Sequence, residues 1–167
     1  GNFLSFTELA DKGKDIRILA GDEKTPLKFF IEKLDAVNEM AFIWVNLPKE
    51  VTTAPDPSIW LYFGNPAAVD GQEPAGVFDL AHVLSYTFSG KTVKDATANA
   101  NNPAEATSTF AEGGLIGESA SFQAGQFIRV ASTPSLTMSP SAGWTVSVWL
   151  KFDQAQTDAV LFQRGGA

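Results

Sequence analysis

The stretch WTVSVWLKF, Trp144 to Phe152, contains the first group of residues that could bind a ligand. Trp149 shares the polar face of this predicted strand with Thr145 and Lys151. An indole can stack on a sugar ring while a hydroxyl and an amine bond the sugar oxygens. The three residues therefore form a candidate glycan site. The alternative is that Trp149 packs into the opposing layer of a sandwich.

A second group supplies oxygen ligands from one loop. Asp95, Asn99 and Asn101, with Asn102 beside them, suit a hard ion such as calcium, the one cofactor that the sequence suggests. The loop lacks EF-hand spacing, and Asp and Asn are also ordinary turn formers. We favour the turn role and keep calcium as the alternative.

Residues for catalysis are sparse. His82 is the single histidine, and it shares an alternating apolar face with the residues up to Phe88, so we expect a structural, at least half-buried side chain. No G-x-S-x-G motif accompanies a serine. A glycanase would need two facing carboxylates, whereas Glu118 stands alone and Asp153 ends a strand. The sequence therefore predicts no enzyme activity.

Short extended segments must position these groups. Every second residue from Trp144 to Phe152 is apolar, and these residues form the face opposite Trp149. This alternation indicates a half-buried strand. Further predicted strands lie at 15–19, 29–33, 42–47, 59–64, 82–88, 119–122, 126–130 and 159–163, with a loop at 92–111 and a short helical turn at 7–10. Trp44 and Trp60 fall in apolar runs and are expected in the core. The pattern predicts an all-β fold, an antiparallel β-sandwich.

Composition excludes several classes of function. The chain carries 12 Lys and Arg against 19 Asp and Glu, a net charge of −7, without a basic run, so nucleic acid is a poor partner. It has no cysteine and no apolar stretch of about 18 residues. Contact with a membrane is expected only through segments outside this chain, which begins with Gly1 as an excised fragment would.

Turn-forming residues divide the chain. Residues 1–66 are predicted to form a small β-domain, 67–76 a linker with Gly71 and Pro74, and 77–167 a second β-rich module.

The second module resembles a known superfamily. GLIGESASF (Gly114 to Phe122), FIRV (Phe127 to Val130), WTVSVWLKF and LFQRGG (Leu161 to Gly166) occur in the order seen in concanavalin A-like, laminin G-like lectins. The resemblance implies a jelly roll and carbohydrate binding. Such a module has more strands than this chain supplies, so we expect an incomplete jelly roll that a partner completes or that the fragment cuts short.

The first module has a resemblance of its own. DIRI, FIWVNLP and IWLYFGNP look like a small bacterial β-domain of unknown function that precedes laminin G-like modules in relatives of the MotA/TolQ/ExbB proton channels. This implies a periplasmic or extracellular location and a link to biopolymer transport.

The resulting hypothesis is a non-enzymatic extracytoplasmic recognition or assembly module of a membrane-associated envelope protein. A glycan or an envelope protein is the expected partner. A free-standing glycan-binding or adhesive module and a glycanase relative are the alternatives.

Overall fold

A computed structural model describes residues 4–55, 57–139, 141 and 143–165 of the chain. The strands are β1 (Arg17–Ala20), β2 (Phe29–Asp35), β3 (Met40–Val45), β4 (Ile59–Tyr62), β5 (Pro103–Ala106), β6 (Thr109–Ala111), β7 (Ser119–Ser121) and β8 (Ile128–Val130). One helical turn, α1 (Lys49–Thr52), and 3-10 turns at Asp11–Gly13, Pro74–Gly76, Ser89–Lys91 and Pro134–Leu136 join them. The predicted all-β class is confirmed.

The strands pair in antiparallel twos: β1 with β4, β2 with β3, β5 with β8 and β6 with β7. These small sheets do not close into a barrel within the described residues. The chain separates into two compact units, Gly1–Thr137 and Met138–Ala167. The jelly roll and the division at 67–76 stay predictions.

The core of the first unit forms around β1 and the start of β2. Ile16, Ile18 and Ala20 alternate inward and meet Leu27 and Phe29, all of them buried. This period of two fits strands with one face on the core. Partly buried apolar residues pack around the cluster, among them Ile31 on β2 and Ile43 and Val45 on β3.

A short turn and a bulge shape the β2–β3 hairpin. Asp35 at the end of β2 accepts hydrogen bonds from the backbone N–H and side-chain amide of Asn38 (3.0 and 2.9 Å), which fixes the turn. The register shifts between Ile31 and Lys33, so that Glu32 is the extra residue of a β-bulge.

Segment 67–76 contacts the strands of the first unit. The backbone N–H of Ile31 donates to the Gln72 side chain at 2.7 Å, and that of Gly71 donates to the Lys14 carbonyl at 3.3 Å. Asn46 also donates a side-chain hydrogen bond to the Gly76 carbonyl at 3.0 Å. These contacts hold the following residues, 77–82, beside the end of β3.

Two predictions between residues 82 and 111 are wrong. Residues 82–88 do not form a strand, and only an isolated bridge joins Tyr86 to Asp95. The predicted loop at 92–111 contains β5 and β6 instead. β5 pairs with β8, farther along the chain, and β6 pairs with the next strand, β7. The composition of β5 and β6 is too rich in alanine and polar residues to reveal them.

The predicted strands at 144–152 and 159–163 are not formed either. These segments are exposed and carry no strand pairing in the described part of the second unit. The rings of Trp144 and Phe162 contact each other, with centroids 5.7 Å apart, but the segments share no ladder of hydrogen bonds within residues 143–165. Alternation alone predicted the strand, whereas a strand needs a partner to satisfy its backbone.

Candidate ligand-binding cleft

The outward face of β3 carries a row of exposed apolar side chains. Met40, Phe42 and Trp44 alternate with inward residues, and Trp44 keeps 43% of its surface exposed. The prediction that Trp44 and Trp60 are core residues is therefore wrong, since Trp60 on β4 is 44% exposed. MAFIWV is apolar on both faces, so its sequence does not show which face meets water.

The bulge on β2 fixes the indole of Trp44. Trp44 Nε1 donates a hydrogen bond to the carboxylate of Glu32, and the ring stacks beside Phe30 on the paired strand, with centroids 6.4 Å apart. A satisfied Nε1–H leaves the indole surface as the part of Trp44 that a ligand can contact.

Phe78 extends this aromatic surface from the loop after Pro74–Gly76. Its ring centroid lies 6.1 Å from that of Trp44 and 6.0 Å from that of Phe30. Because Trp44 and Phe78 cover it, Phe30 is buried although it lies on the outward side of the sheet. The loop is held by the Asn46 contact described above.

A hydrogen-bonded pair, Asp79 and His82, borders the aromatic surface. Asp79 Oδ1 lies 2.7 Å from His82 Nδ1 and accepts backbone N–H groups of Ala81 (2.9 Å) and His82 (3.1 Å). The bond from His82, followed by those from the backbone, lowers the pKa of Asp79. The imidazole lies 5.6 Å from the Phe78 ring and is mostly exposed. The prediction that His82 is at least half-buried is thus wrong, while its structural role stays a prediction.

These elements enclose a cleft of about 330 Å³, here called the aromatic cleft. Its lining consists of Trp44, Val45, Asn46, Leu47, Val77, Phe78, Asp79 and His82. The volume is at the lower end of small-molecule sites, about 300–1,000 Å³. Aromatic surface on one side and a carboxylate with an imidazole on the other can bind a ligand that has both apolar and hydrogen-bonding groups.

A larger cleft of about 520 Å³ lies against β1 and β4, but its polar side chains are already bonded to other protein groups. Arg17 donates to the carbonyls of Lys14, Ile16 and Val69 at 2.7 to 2.9 Å. Lys28 pairs with Glu73, and the Tyr62 hydroxyl donates to Glu23. A ligand would have to displace these contacts, so this second cleft is the weaker candidate.

The predicted glycan residues Trp149, Thr145 and Lys151 lie in the second unit. All three are exposed, Trp149 at 82%, and no strand places them on a common face. Neither of the two clefts above includes them. Their role in binding stays a prediction.

The predicted calcium residues do come together, around Asp95. The buried Asp95 carboxylate accepts hydrogen bonds from the backbone N–H groups of Ser85, Thr97 and Asn101 and from the Thr97 hydroxyl, at 2.8 to 3.0 Å. Four donors fill the lone-pair positions of a carboxylate, and a calcium ion would have to displace them.

The neighbouring asparagines also bind protein groups. Asn101 donates to the Val83 carbonyl (2.7 Å) and the Ser135 hydroxyl (2.9 Å), and its own oxygen accepts from Thr133 (2.7 Å). Asn99 donates to the His82 carbonyl at 3.2 Å. The geometry favours the turn role, and calcium binding stays a prediction.

The Tyr86 hydroxyl closes this network by donating to the Asn101 carbonyl at 2.6 Å. Burial and the nearby charge of Asp95 raise the pKa of Tyr86 to about 12. Tyr86 is therefore a neutral hydrogen-bond donor at ordinary pH.

The described ranges contain neither a group of metal-binding side chains nor a membrane-spanning helix. No cluster of three or more His, Asp or Glu side chains there is arranged to hold a metal ion. No helix in those ranges has the length and apolar character needed to cross a membrane.

The sequence did not indicate Trp44, Phe78 and Asp79 as candidate site residues, and it suggested another role for His82. The spacing of Asp79 and His82, three residues apart, was an available signal, because an Asp side chain readily bonds the backbone and side chain that follow it. The aromatic part had no such signal, since Trp44 and Phe78 meet only through the fold.

Comparisons with known proteins identify the family of this chain and no individual relative. No curated protein matches this chain. No solved structure matches it either. One family model, described as a domain of unknown function, DUF2341, matches residues 12–108, which is more than half of the 167 residues and includes the whole aromatic cleft. The chain therefore belongs to the DUF2341 family of domains of unknown function.

Proposed function

We propose that this chain is a non-enzymatic recognition module that acts in the periplasm or outside the cell, and that the aromatic cleft is its binding surface. The observation that carries the proposal is the exposed indole of Trp44 beside Phe78, Asp79 and His82. Exposed aromatic rings next to polar side chains are typical of binding sites, because ordinary surfaces rarely keep large rings together in water.

The arrangement around His82 supports binding over hydrolysis. A nucleophilic triad needs a hydroxyl or thiol on the second imidazole nitrogen. The side-chain contacts of His82 in the described ranges are with Asp79 and Phe78. Release of reducing ends from polysaccharides would support the glycanase alternative instead.

The envelope context is the second part of the proposal. It rests on the resemblance of the strand motifs to domains that precede relatives of the MotA/TolQ/ExbB channels. A full-length reading frame with about three apolar spans of about 20 residues would support this parent. A frame without such spans would favour the free-standing adhesive or glycan-binding module.

Binding to a glycan array and to isolated bacterial envelope fractions tests the cleft. The wild-type chain should bind at least one of these, and Trp44→Ala should weaken that binding about tenfold or more. Trp60→Ala is the matched control, because Trp60 is equally exposed but lies outside the aromatic cleft. Equal losses in both variants would contradict the proposal.

Trp149→Ala tests the second unit in the same assay.

A further inference from the structure

We infer that the aromatic cleft takes a neutral pyranose sugar, with the sugar ring on Trp44 and its hydroxyl groups on Asp79 and His82. This inference rests on the proposed function. It specifies the class of ligand, and three properties of the cleft lead to it.

The first property is the state of the indole. Trp44 Nε1 already donates to Glu32, so the ring offers an apolar surface and no hydrogen bond. Grooves that bind extended peptides combine aromatic rings with groups that bond the peptide backbone. The C–H face of a pyranose needs only the aromatic surface, which Phe78 continues at a centroid distance of 6.1 Å.

The second property is the excess of hydrogen-bond acceptors. Asp79 Oδ1 receives three protein hydrogen bonds, whereas Asp79 Oδ2 receives none within the described residues, and the side chain is 68% exposed. An ionised carboxylate only accepts, and sugar hydroxyls are donors. The Asn46 amide N–H is directed to the Gly76 carbonyl, which reduces the donors left for a ligand.

The third property is the local charge. Asp79 borders the cleft and Glu32 holds its indole, while His82 is the one basic side chain among the described lining residues. Uronic or sialic acids would bring a carboxylate next to two others, which is unfavourable. A neutral sugar meets no such repulsion. The volume of about 330 Å³ suits a short saccharide.

The imidazole has a defined place in this arrangement. Because His82 Nδ1 is bonded to Asp79, His82 Nε2 is the nitrogen that can bond a ligand. A carboxylate oxygen and an imidazole nitrogen side by side can bond two neighbouring hydroxyls of one ring. Because His82 supplies one hydrogen bond and Trp44 supplies the stacking surface, we expect His82→Ala to weaken sugar binding less than Trp44→Ala does.

The test is a titration of the full 167-residue chain by calorimetry. The probes are the neutral trisaccharides maltotriose, cellotriose and mannotriose, a trisaccharide containing glucuronic acid, choline chloride and a proline-rich peptide. We expect at least one neutral trisaccharide to bind and the acidic one to bind at least tenfold more weakly. Tighter binding of choline or the peptide, or no binding of a neutral trisaccharide, would overturn the inference.

Variants locate the site. Trp44→Ala should weaken binding about tenfold and Asp79→Asn about fivefold, while Trp60→Ala should leave it unchanged. Asp79→Asn keeps an exposed side chain of the same shape, so it tests the cleft even if Trp44→Ala lowers stability. Full affinity in Asp79→Asn would overturn the placement of the sugar.

The two proposals fail in different ways. Binding to an envelope fraction that depends on Trp44, without binding to any trisaccharide, would overturn the sugar inference and leave the proposed function intact. Absence of binding that depends on Trp44 in both assays would contradict both.

Discussion

Asp15 connects three parts of the first unit through a single buried carboxylate. It immediately precedes Ile16 of the core, and its two oxygens accept the backbone N–H groups of Ala10 at 2.9 Å and Gly64 at 2.7 Å. Burial raises the pKa of Asp15, but the hydrogen bonds from Gly64 and Ala10 outweigh it, and the pKa is lowered.

Replacing Asp15 with Asn should reduce stability and its dependence on pH. A lowered pKa in the folded state means that Asp15 stabilises above its unfolded pKa, about 3.9. This stabilisation is lost as the pH falls through the folded pKa. Hydrogen bonds to a charged group contribute about 1.5–3 kcal/mol, so we expect a loss of about 2 kcal/mol at pH 7.

Urea unfolding between pH 7 and pH 2 measures this effect. The free energy of unfolding should fall less steeply with acid in Asp15→Asn than in the wild type. Asp11→Asn is the control, because Asp11 is exposed, and it should follow the wild type. Parallel curves for Asp15→Asn and the wild type would refute the role of Asp15.

Single residues differ in whether the sequence predicts their burial. The inward residues Ile16 and Ile18 follow a clear period of two, and the structure buries both. Trp44 and Trp60 lie in runs that are apolar at every position, where the period carries no information about the inner face. The aromatic cleft depends on contacts between residues more than 30 positions apart, which one sequence does not reveal.

At the scale of elements, segment 67–76 is attached to β1 by close contact at Gly71. A Cβ added to Gly71 would overlap the guanidinium of Arg17 and lie 3.0 Å from the Ile16 carbonyl oxygen. Arg17 cannot simply turn away, because it is held by hydrogen bonds to Lys14, Ile16 and Val69.

Gly71→Ala should therefore destabilise the first unit by about 1–3 kcal/mol, the usual cost of overpacking. Gly117→Ala is a matched control, since a Cβ there would have only an ordinary contact, 3.9 Å from the Glu32 carbonyl oxygen. Thermal unfolding followed by circular dichroism compares the two. A melting temperature of Gly71→Ala as high as that of Gly117→Ala would contradict the contact.

Strands were predicted correctly where the segment itself is β-rich and is bounded by turn residues. β1, β2, β3 and β4 follow β-rich segments bounded by turn residues, and the structure contains all four. β5 and β6 carry no β-rich pattern in their own residues, and they form through pairing with β8 and β7. Segment 144–152 shows the opposite case, a strong pattern without a pairing strand in the described part of its unit.

At the scale of the molecule, the two units differ in the fraction of their residues that is buried. The first contains the core cluster and the eight strands found in the described residues, whereas the described residues beyond Thr137 are almost entirely exposed. Few buried contacts and few backbone hydrogen bonds mean a small free energy for local opening.

Trypsin should therefore cut the second unit first, at Lys151 and Arg164, both of which are exposed. Lys33 is the internal reference, because it pairs with β3 and should be cut later. Mass spectrometry of a timed digest gives the order. Cleavage at Lys33 before Lys151 would show that the second unit is the better protected one.

The alternating segment at Trp144 to Phe152, which has no pairing strand among the described residues, also affects how molecules of this chain behave towards one another. A run of β-branched and aromatic residues with open backbone groups can pair with its own copies and start aggregation. The net charge of −7 opposes such encounters through repulsion, which salt screens. Light scattering should therefore increase with ionic strength and near pH 4.6, the isoelectric point, and Val148→Lys should suppress the increase.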